Sequence, residues 1–118
     1  DLFIDGRKFQ LHWAKHQREV TIHGRDIFWA ITAHFQIPLI LRDALLANQH
    51  LIPPSLVTID KPGQVQYICF WGDGFEFPEN DLYVGHMYLL KGVWHPGYTY
   101  LGYNFDFQRP AASLELRR

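Results

Sequence analysis

The sequence predicts an α+β fold, a curved antiparallel sheet of five to seven strands with a short helical pair packed on one face. Two observations predict it. Apolar residues recur at helical spacing on either side of Pro38, between Ile27 and Asn48, while the flanking segments alternate or run apolar as strands do. Thirteen of the nineteen Phe, Trp and Tyr residues lie between Tyr67 and Phe107, so the C-terminal half is the ring-rich, strand-forming half.

Taken in order, DLFIDGRKFQLHW reads as two strands, Leu2 to Ile4 and Lys8 to Trp13, joined at Asp5-Gly6, a dipeptide suited to a tight hairpin. Phe9, Leu11 and Trp13 alternate with Lys8, Gln10 and His12, which places His12 on the outward face. VTIH is a further strand. Asp26 is a plausible N-cap for a helix from Ile27 to Phe35, which stops near Gln36 because the residue before Pro38 resists helical geometry. Pro38 then opens a second helix through Asn48, with Leu41, Ala44, Leu45 and Asn48 on one face and Leu39 and Leu46 widening the stripe, so that it packs on two sides.

SLVTID is expected as a strand that Lys61-Pro62-Gly63-Gln64 reverses. The returning run VQYICFW is apolar at both parities and should be central, covered on both faces. GDGFEFPEN is an acidic loop, DLYVGHMYLLKGVW a strand, Pro96-Gly97 a turn and Tyr98 to Phe107 the last long strand or hairpin. In that strand the rings at 98 and 100 change parity at 103, 105 and 107. A β-bulge at Leu101-Gly102, with the glycine left-handed, would put all five on one side. The chain is expected to form a single domain over 1–118 with 110–118 a frayed tail.

Composition bounds the function. Eleven Lys and Arg against twelve Asp and Glu leave a net charge of -1, too little to capture nucleic acid by field alone, and the mildly basic N-terminal face around Trp13 is diluted by Asp5, Glu19 and Asp26. A lone Cys69 in an apolar run excludes an internal disulfide and reads as an inert buried thiol. No apolar run reaches the roughly 20 residues of a membrane helix. A soluble, cytoplasmic protein is expected. The chain opens on Asp1 rather than Met, and its native start is expected to lie elsewhere.

Catalytic and cofactor motifs are missing from the sequence: it has no G-x-S-x-G elbow, no phosphate-cradling glycine loop and no paired-cysteine set. His12 and His16 have a metal-ligand spacing but sit in a strand and a turn, with no third ligand marked, so no metal or other cofactor is expected.

Tyrosines open the aromatic strand, and a buried phenol needs a partner for its hydroxyl. Tyr98 and Tyr100, with Trp94 and His95 just ahead, therefore form the candidate binding edge. Asp73, Glu76, Glu79 and Asp81 form an electrostatic handle beside it. The first expectation is a noncatalytic binding or protein-interaction domain, antitoxin-like or an accessory subunit, taking a protein partner or a small-molecule ligand. The second is a small pocket enzyme, a hydrolase, isomerase or cyclase, with His86 or His95 as general base and Tyr98 or Tyr100 as hydrogen-bond donors. Asp106 could orient either imidazole if its strand adjoins theirs.

Overall fold

The computed structural model describes residues 2–4, 6–24, 26–27, 35–59, 61–72 and 83–115. Their strands, in chain order, are β1 (Phe3–Ile4), β2 (Arg7–His12), β3 (Ile22–His23), β4 (Phe35–Gln36), β5 (Tyr67–Phe70), β6 (Tyr83–Leu90), β7 (Val93–Tyr100), β8 (Asn104–Phe105) and β9 (Ala111–Leu114). Helix α1 (Leu39–Ala47) lies between β4 and β5, followed by 3-10 turns at Gln49–Leu51 and Pro54–Leu56. The protein is therefore α+β.

Six strands hydrogen-bond in the order β1-β2-β9-β5-β6-β7, and β4 also pairs with β9. All these pairs are antiparallel except β5 with β9, which is parallel, so the sheet is mixed rather than purely antiparallel. β3 and β8 form a separate two-stranded pair.

The first hairpin forms as its Asp5-Gly6 signal predicts, with Ile4 opposite Arg7. β5 is central, between β9 and β6, and Ile68, Cys69, Phe70 and Trp71 are all buried, as an apolar run at both parities requires. The turn at Lys61 to Gln64 also forms, closed by the Gln64 N–H donating to the Lys61 carbonyl at 3.3 Å.

Other expectations are corrected. Residues 111–114 are not a frayed tail but β9, buried throughout and lying between β2 and β5. Ala-Ala-Ser carries little strand propensity, yet small side chains suit a strand crowded by neighbours and covered on both faces. Phe35–Gln36 is strand rather than helix end, because β9 offers Ser113 and Leu114 as partners and the approach to Pro38 favours extended backbone. The rest of the proposed first helix, 28–34, lies outside the described residues. Ser55 to Ile59 is not a strand, since Pro54 starts a 3-10 turn there.

α1 begins after Pro38 and ends at Asn48, whose N–H donates to the Leu45 carbonyl at 3.0 Å and whose side-chain Nδ2 donates to the Ala44 carbonyl at 2.9 Å. It packs on one side only. Leu45 and Arg42 are buried, whereas Ala44, Asn48 and Ile40 face outward, Ile40 being 74% exposed. Opposite it, Gly85 of β6 leaves room for Leu39, which a Cβ at that position would strike.

Two cores lie on the two faces of the sheet. On the helix side are Phe9, Ile37, Leu45, Leu56, Ile68, Phe70, Met87 and Trp94, and on the other are Ala14, Ile27, Cys69, Trp71, Val84, Leu101 and Phe105. No helix among the described residues is long and apolar enough to cross a membrane.

Candidate functional site

The hairpin β6–β7 carries most of the sequence-predicted site. It turns at Lys91-Gly92, with φ of 51° and 80°, the positive pair that a two-residue type I′ turn requires. Leu90 stands opposite Val93, Tyr88 opposite His95 and His86 opposite Gly97. The expected turn at Pro96-Gly97 is instead mid-strand. A two-residue turn makes the pairs opposite Trp94 and Pro96 the non-bonded ones, so the Pro96 nitrogen points off the sheet edge, where no ladder hydrogen bond is lost.

Period-two alternation then sorts the candidates onto opposite faces. Trp94, Tyr98 and Tyr100 lie on the helix side, while His86, His95 and Thr99 lie on the other. His95 and Tyr98 therefore do not converge. Trp94 is core, not rim, at 6% exposure, and the Gln49 side chain holds both of its main-chain groups: Trp94 N–H donates to Gln49 Oε1 at 2.9 Å, and Gln49 Nε2 donates to the Trp94 carbonyl at 2.8 Å.

The five-ring face does not form. Gly102 is not among the residues with positive φ; Leu101 to Tyr103 make a turn, closed by the Tyr103 N–H donating to the Tyr100 carbonyl at 3.1 Å. The chain leaves the sheet there, and β8 pairs with β3. Phe105 is fully buried against Trp71, with centroids 5.8 Å apart, while Tyr103 is exposed. Tyr98 remains exposed and Tyr100 half-buried, its ring between Tyr83 at 5.4 Å and Tyr103 at 5.6 Å. The Arg42 guanidinium stands 5.3 Å from the Tyr98 ring.

On the other face a ring cluster is built that the aromatic-strand pattern did not point to. Tyr67 meets the His86 ring edge-on at 4.9 Å, Tyr88 meets it edge-on at 5.8 Å, and Tyr88 stacks on His95 at 5.4 Å. Arg109 lies 4.1 Å over the Tyr67 ring, and its Nε is buried with no hydrogen-bond partner among the described residues. Tyr67, Tyr88 and His95 are half-buried, and beyond them Leu90 and Val93 are 48% and 47% exposed. The result is one apolar and aromatic strip along the outer half of the hairpin, beyond the part of this face covered by Leu101 and Phe105.

His86 is the buried polar centre of this cluster. Its Nδ1 lies 2.6 Å from Thr99 Oγ1, and its Nε2 faces Gly97, where an added Cβ would stand 2.5 Å away. Burial first, then the positive charges of Arg109 and Arg42, lower the imidazole to about 4, so it is neutral at pH 7. Arg42 reaches the same strands from the helix side, donating to the carbonyls of His86 at 3.3 Å and Gly97 at 3.1 Å. Asp106 does not orient either histidine. Its carboxylate accepts from the Gln108 N–H at 2.9 Å and Gln108 Nε2 at 3.2 Å.

His12 is not outward-facing in the simple sense: it is half-buried, with Nδ1 3.0 Å from Ser113 Oγ. No group of three or more His, Cys, Asp or Glu among the described residues is placed to hold a metal ion. The Cys69 thiol is fully buried and pushed up to about 12 by that burial, against a smaller lowering from Arg109, which leaves it protonated and unreactive at neutral pH. Asp73, Glu76, Glu79 and Asp81 lie outside the described residues.

Tyr67, Tyr88 and Arg109 escaped the sequence reading because they come from different strands and a loop. The one signal that could have found two of them is parity: Tyr88 and His86 are two apart in one strand, and both faces of β5 were already predicted to be covered. No family model matches the chain, and neither a curated protein nor a solved structure matches it.

Proposed function

We propose that the chain is a noncatalytic binding or protein-interaction domain, an accessory subunit whose partner covers the outer half of the β6–β7 hairpin on the His95 side. The observation that carries this reading is the Tyr88–His95 stack, half-buried and continued by the exposed Leu90–Val93 pair on the same face. Rigid rings beside exposed aliphatic groups supply contact area at low entropy cost, the composition found at the centres of protein interfaces. Asp73, Glu76, Glu79 and Asp81 stand just ahead of β6 in sequence and favour a partner with a basic rim. Native mass spectrometry of the purified protein and affinity retention from its source test this. A defined partner should be kept by the wild type and lost by both Tyr88→Ala and His95→Ala with circular dichroism unchanged. Retention by both variants sinks the reading.

One observation favours a second reading, the small pocket enzyme. His86 is unprotonated at pH 7, as a general base must be, with one ring nitrogen held by Thr99, but it is a weak base, since it titrates at about 4. In that reading the tyrosines sharing its face, Tyr67 and Tyr88, are the donors in place of Tyr98 and Tyr100. A small molecule retained in native mass spectra and lost in His86→Gln would favour it over the first.

A further inference from the structure

On the face of the sheet away from α1, Arg109, Tyr67, Tyr88 and His95 stand side by side in one row across the strands. Register builds it. Tyr67 is opposite Tyr88 and Tyr88 opposite His95, while Arg109 comes alongside Tyr67 because the chain entering β9 runs parallel to β5, with Ala111 beside Cys69 two residues on from each. Cys69 and Ala111 belong to the core on that face, and Tyr67 and Arg109 share their parity. All four members of the row are half-buried.

The main chain around Arg109 is pinned from two sides. Gln17, itself buried, donates through Nε2 to the carbonyls of Asp106 and Arg109, each at 2.9 Å, and β5 donates from Tyr67 to the Gln108 carbonyl and from Cys69 to the Pro110 carbonyl, also at 2.9 Å. The guanidinium then lies 4.1 Å over the Tyr67 ring. That anchoring fixes the cation without neutralising it. No carboxylate among the described residues pairs with Arg109, and its side-chain nitrogens meet no acceptor, Nε being buried. The nearby Asp106 carboxylate is taken by the N–H and Nε2 of Gln108. The hydroxyls of Tyr67 and Tyr88, whose rings are 5.9 Å apart, likewise have no partner among the described residues. A guanidinium held at its stem beside two phenol donors is a recognition group for an anion.

We propose that this row receives a carboxylate, the side chain of an aspartate or glutamate that the partner protein brings to Arg109. The proposal rests on the docking surface inferred above and names the group its partner must carry there. The Nη groups of Arg109 take the carboxylate end-on, and the Tyr67 and Tyr88 hydroxyls donate beside them. Apolar neighbours of that acid lie on the Tyr88–His95 stack and on Leu90 and Val93. Among the described residues Arg109 is the one cation in contact with the row on this face, which matches a singly charged carboxylate better than a phosphate dianion. The carboxylates between residues 73 and 81 follow the other end of β5 in sequence, so the basic rim that they favour and the acid that Arg109 takes are separate features of one partner surface.

The probes are benzoate and benzamide, alike in shape and different in charge, titrated into the whole chain and read by nuclear magnetic resonance at the Arg109 Nε–H. Benzoate should shift that proton saturably and bind at least about tenfold more tightly than benzamide, the difference a charge-assisted hydrogen bond supplies. Arg109→Met should abolish the preference. Since that change uncovers Tyr67, Tyr88→Phe gives a second reading: it removes one hydroxyl only, and should weaken benzoate about three- to tenfold while leaving benzamide unchanged. Benzoate that binds no better than benzamide, or a preference that survives Arg109→Met, overturns the proposal. The partner supplies the other arm, because Arg109→Met should weaken its affinity at least about tenfold. If Tyr88→Ala and His95→Ala release the partner while Arg109→Met holds it at full affinity, the carboxylate proposal fails and the docking surface stands; retention by all three overturns both. A small carboxylic acid found in native mass spectra in place of a protein would overturn the protein as its source.

Discussion

His86 Nδ1 and Thr99 Oγ1 lie 2.6 Å apart on neighbouring strands, one hydrogen bond that holds a buried, neutral imidazole between Tyr67 and Tyr88. Cross-strand register puts them side by side: His86 is opposite Gly97, and Thr99 is the next residue of the same face along β7. Glycine at 97 makes the room, and burial first, then the two arginines, one on each face, make the charged form costly.

The first expected outcome is a pH dependence of stability. The imidazole titrates near 6.5 when unfolded and about 4 when folded. Between those values the unfolded chain binds a proton that the folded chain does not, so stability rises with pH across the window. This contribution is fully present above about pH 6.5 and is lost progressively as pH falls to about 4, in total about 3 kcal/mol. Urea unfolding from pH 7.5 to 4, repeated with His86→Asn, checks it. The wild type should show an extra slope of up to about 1.4 kcal/mol per pH unit that the variant lacks.

Gly97→Ala should disrupt the same unit from the other strand. The new Cβ would meet His86 Nε2 at 2.5 Å, so the ring must move and strain or break its bond to Thr99. A loss of about 1–3 kcal/mol is expected, the range for overpacking a well-filled site. The His86 ring resonances should shift along with it. A variant as stable as the wild type, with an unmoved His86, would refute the placement.

The sequence made some of this legible and hid the rest for identifiable reasons. The first hairpin and the Lys61 to Gln64 turn were declared by their glycines, since Gly6 and Gly63 adopt φ of 74° and 81°, and VQYICFW declared its burial because both parities are apolar. Lys91-Gly92 was missed because lysine is a poor marker for a positive φ, and the Pro96-Gly97 pair nearby was a louder but false turn signal. β9 was invisible for the opposite reason: Ala-Ala-Ser has no hydrophobic pattern, and its place in the sheet comes from long-range partners. The candidate site divided in the same way. Tyr98 and His95 adjoin in sequence but face apart, whereas Tyr67, His86, Tyr88 and His95 meet only through register.

The Lys91 position offers a gain rather than a loss. A non-glycine residue with φ of 51° carries the cost of the left-handed region, which asparagine tolerates better, and Asn-Gly is the preferred pair for this turn. Lys91→Asn should stabilise the protein by about 0.5–1 kcal/mol, raising Tm by a few degrees. Differential scanning calorimetry reads the shift directly. An unchanged or lower Tm would mean that the turn is not of this type in solution.

Gln49 tests how the exposed edge of β7 is closed. Its amide mimics a neighbouring strand, accepting from the Trp94 N–H and donating to the Trp94 carbonyl, while the Trp94 ring sits in the core beneath α1. An edge strand with unpaired main-chain groups is open to pairing with other chains, and a side-chain amide that takes both groups blocks it at one residue. Gln49→Ala frees a donor and an acceptor together, and water can replace them only in part at a half-buried position, so a cost of about 1–2 kcal/mol is expected. Gln49→Glu keeps the acceptor but loses the donor to the Trp94 carbonyl, and at neutral pH sets a carboxylate oxygen against that carbonyl. It should therefore destabilise at pH 7 and recover part of the loss as the carboxyl protonates near pH 4, once the His86 contribution measured in the wild type has been subtracted. Hydrogen exchange at the Trp94 amide separates this account from a general loosening: that proton alone should lose protection in Gln49→Ala, with the neighbouring ladder to β6 unchanged.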